Sequence, residues 1–213
     1  MIIIKNLIDN LYKAYDQLNQ QLFNSELPDI IITIQSNSQL PKNKRNITGY
    51  TQNTPLWEVT INGHKQAKYE ITLIAEFLNR TYEEIIETLL HEMCHLHNTI
   101  NRIDDCSKRG KHNEHFRDEC ERINLLCEQA SKTGWSDTHL SEHLLEVVHN
   151  LDINHEAFKL YRITIPPTEH KTRVVKPIYI YRCPCCNKEV KSKDDNMIIV
   201  CGNCKQEFEK IEK

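Results

Sequence analysis

Three histidines lie within seven positions in the segment ETLLHEMCHLHN, residues 87 to 98, next to the acidic residue Glu92. Imidazole nitrogens are common zinc ligands, and a carboxylate beside a zinc ion can accept a proton and return it. The pattern His-Glu-x-x-His, from His91 to His95, therefore predicts a zinc site that hydrolyses peptide bonds.

The ligand pair follows from helical geometry. With about 100° per residue, His91 and His95 lie one turn apart on one face of a helix. His97 projects more than about 100° away from both, so we expect it at the surface or behind the ligands. The apolar residues form a core stripe on roughly the opposite side, namely Tyr82, Ile85, Leu89, Met93, Leu96 and Ile100. We predict that His91 and His95 bind the metal.

Glu92 is the predicted general base. Zinc bound by three protein ligands keeps one position for water, whose pKa falls to about 7 on the metal. Glu92 lies at the edge of the ligand face, where it can accept the water's proton and deliver it to the leaving amine. The alternative is a chance match on a charged helix, which the apolar stripe and a capped helix start disfavour.

The third ligand comes from further along the chain. A metzincin has glycine three residues and histidine six residues after the second ligand, but Asn98 and Asn101 occupy these positions, which excludes that class. A glutamate from a later helix defines another class, and Glu114 or Glu119 could serve.

The segment KHNEHF offers His112 and His115 as the competing candidates. If the following helix buries Phe116, then His112 lies one turn earlier on the core-facing side, whereas His115 points about 100° away. Asn113 is a good N-cap, so His112 can also precede the helix, which weakens this reasoning without reversing it. We predict His112 as the third ligand.

The hydrophobic pattern predicts the elements that position these residues. A helix is expected over residues 5–23, and a capping box at Thr81 begins a second helix at about residue 82, which carries the zinc motif. Two further helices are expected at about 113–130 and 140–158. The first of them buries the stripe Phe116, Cys120, Ile123 and Cys127, whose two cysteines are expected to be buried thiols. Four β-rich segments predict a small antiparallel sheet packed on the helices, DIIITIQ, ITGYTQ, WEVTI and YEITLI. The predicted fold class is α+β.

The last part of the chain carries a second metal motif. Two Cys-x-x-Cys pairs are separated by 14 residues, close to the spacing of a zinc ribbon. Four thiolates close a tetrahedral ligand set, so this zinc is expected to stabilise a short β hairpin and to do no chemistry. Cys185 is a spare thiol that could replace a neighbour only by distorting its pair. The predicted ligands of this structural zinc are Cys183, Cys186, Cys201 and Cys204.

A domain boundary is predicted near Tyr161. Basic residues outnumber acidic ones from there onward, whereas acidic residues outnumber basic ones before it. Pro166 and Pro167 interrupt any helix at this point. The predicted organisation is a metalloprotease domain over 1–160, a linker over 161–178 and a zinc ribbon over 179–213.

Composition predicts a cytoplasmic protein with no membrane partner. The chain is 39% hydrophobic and 27% charged, as soluble globular proteins are, and its apolar runs are far too short to span a bilayer. Its first residues lack the pattern of a signal peptide. Nine cysteines are an odd number for a disulfide framework and favour metal ligands or buried thiols.

The basic C-terminal segment is a candidate contact for single-stranded or damaged DNA. Its lysines and arginines could contact phosphates, and Tyr179 and Tyr181 could stack on unpaired bases. A solvated face with core tyrosines is the alternative, and the chain's pI of about 6.4 argues against strong general affinity for DNA. The basic residues are Arg173, Lys176, Arg182, Lys188, Lys191 and Lys193.

The ordered motifs resemble those of the SprT-like (Spartan) zinc metalloproteases. These are HEMCH at 91–95, then His112 to Phe116 where the family has His-Gly-x-x-Phe, with the opening helix, the LPDIIITI strand and the terminal cysteine pairs in the same plan. The resemblance implies a zincin-like fold, ligands at His91, His95 and His112, and Glu92 as the base. For some members it implies DNA-stimulated cleavage of proteins crosslinked to DNA. Asn113 replaces the family's glycine, and we expect its tolerance of left-handed backbone to accommodate the change.

The predicted function is therefore a zinc endopeptidase with protein substrates, one catalytic zinc and one structural zinc. Two alternatives stay open. One is a His-Glu-x-x-His peptidase of the repressor-cleaving kind, with an acidic third ligand in place of His112. The other is a zinc-stabilised DNA-binding adaptor with an inert site, against which the intact Glu92 argues. The sequence leaves the oligomeric state and the physiological substrate open.

Overall fold

The computed structural model describes residues 3–41, 46–163 and 177–211. Contacts within the chain divide it into two units, Met1–Thr164 and Ile165–Lys213. Most of the predicted linker, residues 164–176, lies outside the described residues. Within the described ranges, no helix is both long and apolar enough to cross a membrane.

The first unit opens with helix α1, Ile3–Leu22, close to the predicted range. Leu7, Leu11 and Leu18 repeat at helical spacing and are fully buried, so one face of the helix forms part of the core. Two tyrosines of α1 tie it to the next segment. The Tyr15 hydroxyl donates to the Pro28 carbonyl at 2.7 Å, and the Ile32 amide donates to the Tyr12 hydroxyl at 2.8 Å.

The sheet of the first unit contains four strands, β1 Ile30–Gln35, β2 Gly49–Thr51, β3 Trp57–Ile61 and β4 His64–Ile74. The central strand is the second half of β4, with β1 on one side and β2 on the other. Strand β3 pairs with the first half of β4. The predicted antiparallel sheet is wrong in one respect, because β1 runs parallel to β4 while β2 and β3 run antiparallel to it.

The parallel pair arises because β1 does not join its neighbour by a hairpin. After β1 the chain forms β2 and β3, which both pair with the other side of β4, and β4 follows last in the sequence. Residues on one face of the sheet, such as Ile32, Ile71 and Leu73, are buried against the helices. Apolar and polar side chains alternate along β1, and the apolar ones can face the helices whether the strand runs parallel or antiparallel to β4. The sequence pattern alone therefore could not predict the direction of β1.

Helix α2, Tyr82–Ile100, begins where the sequence predicts. Thr81 and Glu84 form a capping box, in which the Glu84 amide donates to the Thr81 hydroxyl and the Thr81 amide donates to the Glu84 carboxylate at 2.8 Å. Such a cap typically stabilises a helix by about 1 kcal/mol. The predicted stripe of α2 is largely buried, with Ile85, Leu89 and Met93 fully inaccessible. The opposite face is thereby presented to the edge of the sheet.

The predicted helix over 113–130 is half wrong. Helix α3 spans Glu114–Arg122, and the chain then turns through Asn124 at φ 63° into strand β5, Leu125–Ala130. Strand β6, Gly134–Leu140, pairs antiparallel with β5. Asn tolerates the left-handed conformation that ends the helix, and the strand then gains its partner in β6, so tertiary pairing outweighs the helical pattern.

The predicted helix over 140–158 is also shorter than expected. Helix α4 spans Glu142–His149, and a 3₁₀-helix follows at His155–Lys159. The break between them is held by α1, because Asn10 Oδ1 accepts from the Asn154 amide at 2.6 Å. Helices α1 to α4 and one face of the sheet bury a common apolar core.

The described part of the second unit contains three short strands. They are β7 Tyr179–Arg182, β8 Glu189–Ser192 and β9 Glu209–Ile211. Strand β7 is central and pairs antiparallel with both others. The expected hairpin is therefore extended by a third strand. Among its described residues, only Tyr181, Cys183 and Cys201 are buried, so this part of the chain has little apolar core.

Candidate metal centres and catalytic cleft

Helix α2 and the segment before α3 bring three histidines together. His91 and His95 project from the same face of α2, and His112 approaches from the far side of the cleft. One nitrogen from each of the three side chains lies within 4.8 Å of the other two. His95 Nε2 and His112 Nε2 are 2.9 Å apart. The cluster is the arrangement that the spacing predicts.

The outer ring nitrogens of the histidines all face protein groups. His95 Nδ1 lies 2.7 Å from the Asp105 carboxylate, and His112 Nδ1 lies 3.2 Å from the Thr133 carbonyl. His91 Nδ1 lies 3.4 Å from the Thr138 hydroxyl. Because the Asp105 and Thr133 oxygens only accept, the Nδ1 atoms of His95 and His112 carry protons and their Nε2 lone pairs face each other. A proton or a metal ion between the two Nε2 atoms removes the repulsion of their lone pairs, and the convergence of three imidazole nitrogens fits a zinc ion.

The electrostatics favour neutral imidazoles at His91 and His112, whereas the pKa of His95 is raised. Burial, with the neighbouring histidines, holds the pKa of His91 well below its usual value, and the same causes lower the pKa of His112 to about 4. Burial alone would lower the pKa of His95 too, but its hydrogen bond with Asp105 and the negative charges of Glu92 and Asp105 together outweigh burial and raise the pKa. Asp105 is itself held by Asn98 Nδ2, which donates to it at 3.2 Å.

Backbone contacts with the start of β6 fix the position of His112. Its amide donates to the Thr133 carbonyl at 2.9 Å, and its carbonyl faces Gly134. Gly134 has φ 78°, and a Cβ placed there would lie 2.1 Å from the His112 carbonyl oxygen. Only glycine allows this close approach in this conformation.

Asn113 caps α3 immediately after His112. Its side-chain oxygen accepts from the amides of His115 and Phe116, and Nδ2 donates to the Asp104 carbonyl at 2.7 Å. Its φ of −108° is not left-handed, so the expected role of Asn at the family's glycine position is wrong. The side chain acts as an N-cap, the role that Asn's chemistry also allows.

Glu92 is buried beside the three histidines and lines the same cleft. Burial raises the pKa of its carboxyl to about 7. Among the described residues, Oε2 of Glu92 has no hydrogen-bond partner. A buried carboxylate oxygen without a partner is costly, and such atoms are found where a ligand or water is bound. The cleft has a volume of about 520 Å³ and is bordered by β2, α2 and the 105–112 segment.

Strand β2 approaches α2 closely at Gly49. A Cβ at this position would lie 3.0 Å from the Thr72 carbonyl oxygen, 3.0 Å from the Thr88 methyl group and 3.4 Å from Cγ of Glu92. The absence of a side chain thus lets the strand edge lie directly beside the Glu92 side chain. This role of Gly49 has no local signal in the sequence, and neither has that of Gly134.

The competing ligands lie away from the cluster. Glu114 and His115 are exposed on α3. Glu119 is buried, but it pairs with Arg122 at 2.7 Å and lies 2.9 Å from His97 Nδ1. His97 packs its ring near Phe23, on the side of α2 away from the cleft, where the helical geometry predicts it.

Four cysteines of the second unit form another cluster. The sulfur atoms of Cys183, Cys186, Cys201 and Cys204 lie within 4.8 Å of one another. Each pair closes the same turn, because the Asn187 amide donates to the Cys183 carbonyl at 2.9 Å and the Lys205 amide donates to the Cys201 carbonyl at 2.8 Å. Asn187 and Lys205 have φ 58° and 57°, so the two halves repeat one conformation.

One thiol of the cluster, Cys201, is favoured as a thiolate, whereas hydrogen bonds with the Cys185 and Cys186 thiols raise the pKa of Cys204. The amides of Cys204 and Asn203 point at the Cys201 sulfur and lower the pKa of this thiol to about 6. A thiolate is the form that binds zinc, so a four-sulfur site fits these residues. Cys185 is exposed and lies outside the cluster.

The C-terminal aromatic residues differ in accessibility. Tyr181 is buried, donates to the Asp194 carbonyl at 2.9 Å and accepts from the Met197 amide at 3.2 Å, so its ring is a core ring. Tyr179 is partly exposed under the Lys210 ammonium, 4.4 Å from the ring centroid. Arg182 pairs with Glu189, whereas Lys188, Lys191 and Lys193 are exposed. Arg173 and Lys176 lie outside the described residues.

The fold and the histidine cluster define a metallopeptidase-type domain of the α+β class. The model of the SprT-like family matches residues 11–138, and the chain belongs to this family. The SprT-like family is generally associated with metalloprotease activity, and membership in it implies a zincin-like fold. The match ends before the cysteine cluster. No curated protein and no solved structure shows significant similarity to the chain.

Proposed function

We propose that this protein is a zinc-dependent endopeptidase. The observation that carries the proposal is the convergence of three histidine nitrogens next to Glu92 Oε2, a buried carboxylate oxygen without a partner among the described residues. A purely structural site would need a fourth protein ligand and no base. Zinc bound by His91, His95 and His112 would supply the Lewis acidity that activates a water for attack on a peptide carbonyl.

Glu92 is the proton carrier in this proposal. Its raised pKa, to about 7, places it where a carboxyl can both accept and donate a proton near neutral pH. It takes the proton from the attacking water and gives it to the nitrogen of the departing amine. Asp105 acts through His95, because it holds the Nδ1 proton and keeps Nε2 directed into the cleft.

The edge of β2 is the proposed binding site for the substrate main chain. The Ile74 amide donates to the Thr48 carbonyl at 2.9 Å, and Tyr50 lies opposite Thr72. Because hydrogen-bonding residues alternate along an edge strand, Gly49 and Thr51 direct their backbone groups outward, over the cleft, where the Thr51 amide donates to the Glu92 carboxylate. An extended peptide can add to this edge and pass Glu92.

The acidic-ligand alternative is less well supported. Of the two glutamates that the sequence offered, the buried one, Glu119, is engaged by Arg122 and lies on the other side of α2 from the cleft. The proposed substrates are proteins, with DNA-bound or DNA-crosslinked proteins as the class that the family suggests. The exposed lysines of the second unit, Lys188, Lys191 and Lys193, support a contact with single-stranded DNA.

The test is hydrolysis of a DNA-crosslinked protein by the zinc-loaded full chain, with and without added single-stranded DNA. Cleavage that is lost after removal of the metal and restored by zinc supports the peptidase. Zinc bound at the histidines with no hydrolysis of any polypeptide would favour an inert site. Cleavage that is indifferent to DNA would keep the peptidase and remove the proposed DNA contact.

A further inference from the structure

The hairpin of β3 and the first half of β4 presents apolar side chains to solvent. Trp57, Val59 and Ile61 alternate along β3 on one face, with 47%, 37% and 43% of their surface exposed. Leu56, just before the strand, is 58% exposed. Contiguous exposed apolar residues on a soluble domain commonly mark a binding surface.

The outer edge of β3 carries unpaired backbone groups. The Asn62-Gly63 turn has φ 50° and 79°, the type I′ geometry in which the flanking residues Ile61 and His64 form a hydrogen-bonded pair. Hydrogen-bonded pairs alternate along the ladder, so Glu58 and Thr60 direct their N–H and C=O groups away from β4. No strand among the residues that the structure describes pairs with this edge.

This edge continues the edge of β2 that borders the catalytic cleft. Alternate residues of a strand direct their backbone groups to the same side. The Lys68 carbonyl accepts from the Leu56 amide, next to β3, and the Ile74 amide donates to the Thr48 carbonyl, next to β2. Lys68 and Ile74 are an even number of residues apart, so β2 and β3 lie on the same side of β4. Thr51 lies opposite Ile71 and Trp57 opposite Lys68. At about 3.4 Å per residue, β3 begins about 10 Å beyond β2.

The charges on the hairpin favour a polypeptide over a nucleic acid. Lys65 pairs with Glu58 at 2.8 Å, and Lys68 pairs with Asp29 at 3.0 Å. Both lysines thus have an acidic partner within the protein. On the face of Trp57, Val59 and Ile61 the cross-strand neighbours are polar, and the main-chain edge of β3 beside them is open. Such an edge is typically filled by an added strand with apolar residues at alternate positions.

We propose that the outer edge of β3 binds an extended segment of the protein substrate, several residues away from the bond that is cleaved. This inference rests on the proposed peptidase function. The substrate main chain pairs with Glu58 and Thr60, and its apolar side chains contact Trp57, Val59 and Ile61. The site selects substrates that offer an unfolded, apolar segment beside the cleavage point.

The test compares two proline variants of the same hairpin. Thr60→Pro removes an N–H that points to the open edge of β3, without removing a bond to β4. Lys65→Pro is the matched control, because Lys65 lies opposite Thr60 and directs its N–H to the other edge of the hairpin. Circular dichroism and zinc content check that both variants fold.

Binding is measured by fluorescence anisotropy in the full-length, zinc-loaded chain carrying Glu92→Gln. Two labelled peptides serve as probes. The short one has eight residues. The long one has 24 residues and contains the short sequence at its centre, and on each side of it valines alternate with threonines and lysines. We expect the long peptide to bind at least about tenfold more tightly than the short one. Thr60→Pro should reduce that gain by about fivefold or more, since it removes one main-chain bond of about 1 kcal/mol and its ring obstructs the added strand. Lys65→Pro should keep the gain, and neither variant should change binding of the short peptide.

Equal effects of the two prolines, or equal affinity for the two peptides, would overturn the proposal. A dimer that dissociates on Thr60→Pro in sedimentation would assign the edge to a second copy of the chain and also overturn it. Val59→Thr is an isosteric check on the apolar face if Thr60→Pro does not fold, and it should weaken the long peptide alone. Failure of the peptidase itself is distinguishable, because it appears as absent hydrolysis in the parent chain and leaves the proline comparison intact.

Discussion

Gly134→Ala is expected to abolish the histidine zinc site through the backbone, without changing any ligand. The new methyl group would lie 2.1 Å from the His112 carbonyl oxygen, whereas ordinary carbon to oxygen contacts are about 3.3 Å or longer. The His112 carbonyl must therefore move by about 1 Å. Zinc to nitrogen distances tolerate about 0.2 Å, so the displacement removes His112 Nε2 from the ligand set.

Gly134→Ala is expected to act in two ways, through backbone strain and through displacement of His112, and a control variant separates the two effects. An alanine at φ 78° costs about 1–2 kcal/mol of stability, whatever surrounds it. Gly110→Ala carries the same backbone strain at φ 74°, but nothing lies within 4 Å of its Cβ. The loss of zinc affinity beyond that of Gly110→Ala therefore measures the displacement of His112, and it should be about 100-fold or more.

The assay is zinc competition with a chromophoric chelator, combined with metal content after dialysis. The parent chain should retain about two zinc ions and Gly134→Ala about one, which the cysteine cluster holds. Gly110→Ala should resemble the parent in content. Equal zinc affinity in the two variants would refute the argument that Gly134 positions His112.

Three further predictions test the division of roles. Glu92→Gln should lower peptide hydrolysis by about 10²-fold or more with unchanged zinc content, and a loss of metal would instead make Glu92 a ligand. His95→Ala and Cys201→Ser should each remove a different zinc ion, measured as metal per chain, and a variant that loses both would show that the sites are not independent. Asp105→Asn should weaken zinc binding at the histidines by about tenfold, since the His95 Nδ1 proton then faces a neutral acceptor, while Cys106→Ser in the same loop should leave zinc affinity unchanged.

Local pattern was sufficient for the parts of this protein that depend on neighbours in sequence. The capping box at Thr81 and the stripe of α2 predicted the helix and the shared face of His91 and His95, because helical spacing is fixed by backbone geometry. The two cysteines of each Cys-x-x-Cys pair also lie close together, because only two residues separate them in the chain. The family resemblance to SprT-like proteins is confirmed.

The tertiary structure alone decided what depends on residues far apart in the chain. The direction of β1 is set by a crossover through β2 and β3, and the strand at 125–130 replaces a predicted helix because β6 offers it a partner. The position of His112 depends on its backbone contacts with Thr133 and Gly134. Asp105 contacts His95 from a loop in which the sequence shows no repeating pattern of apolar residues. The period of the apolar residues shows which face of a helix or strand is buried. Tertiary packing determines which element covers that face and which polar atom lies beside a histidine ring.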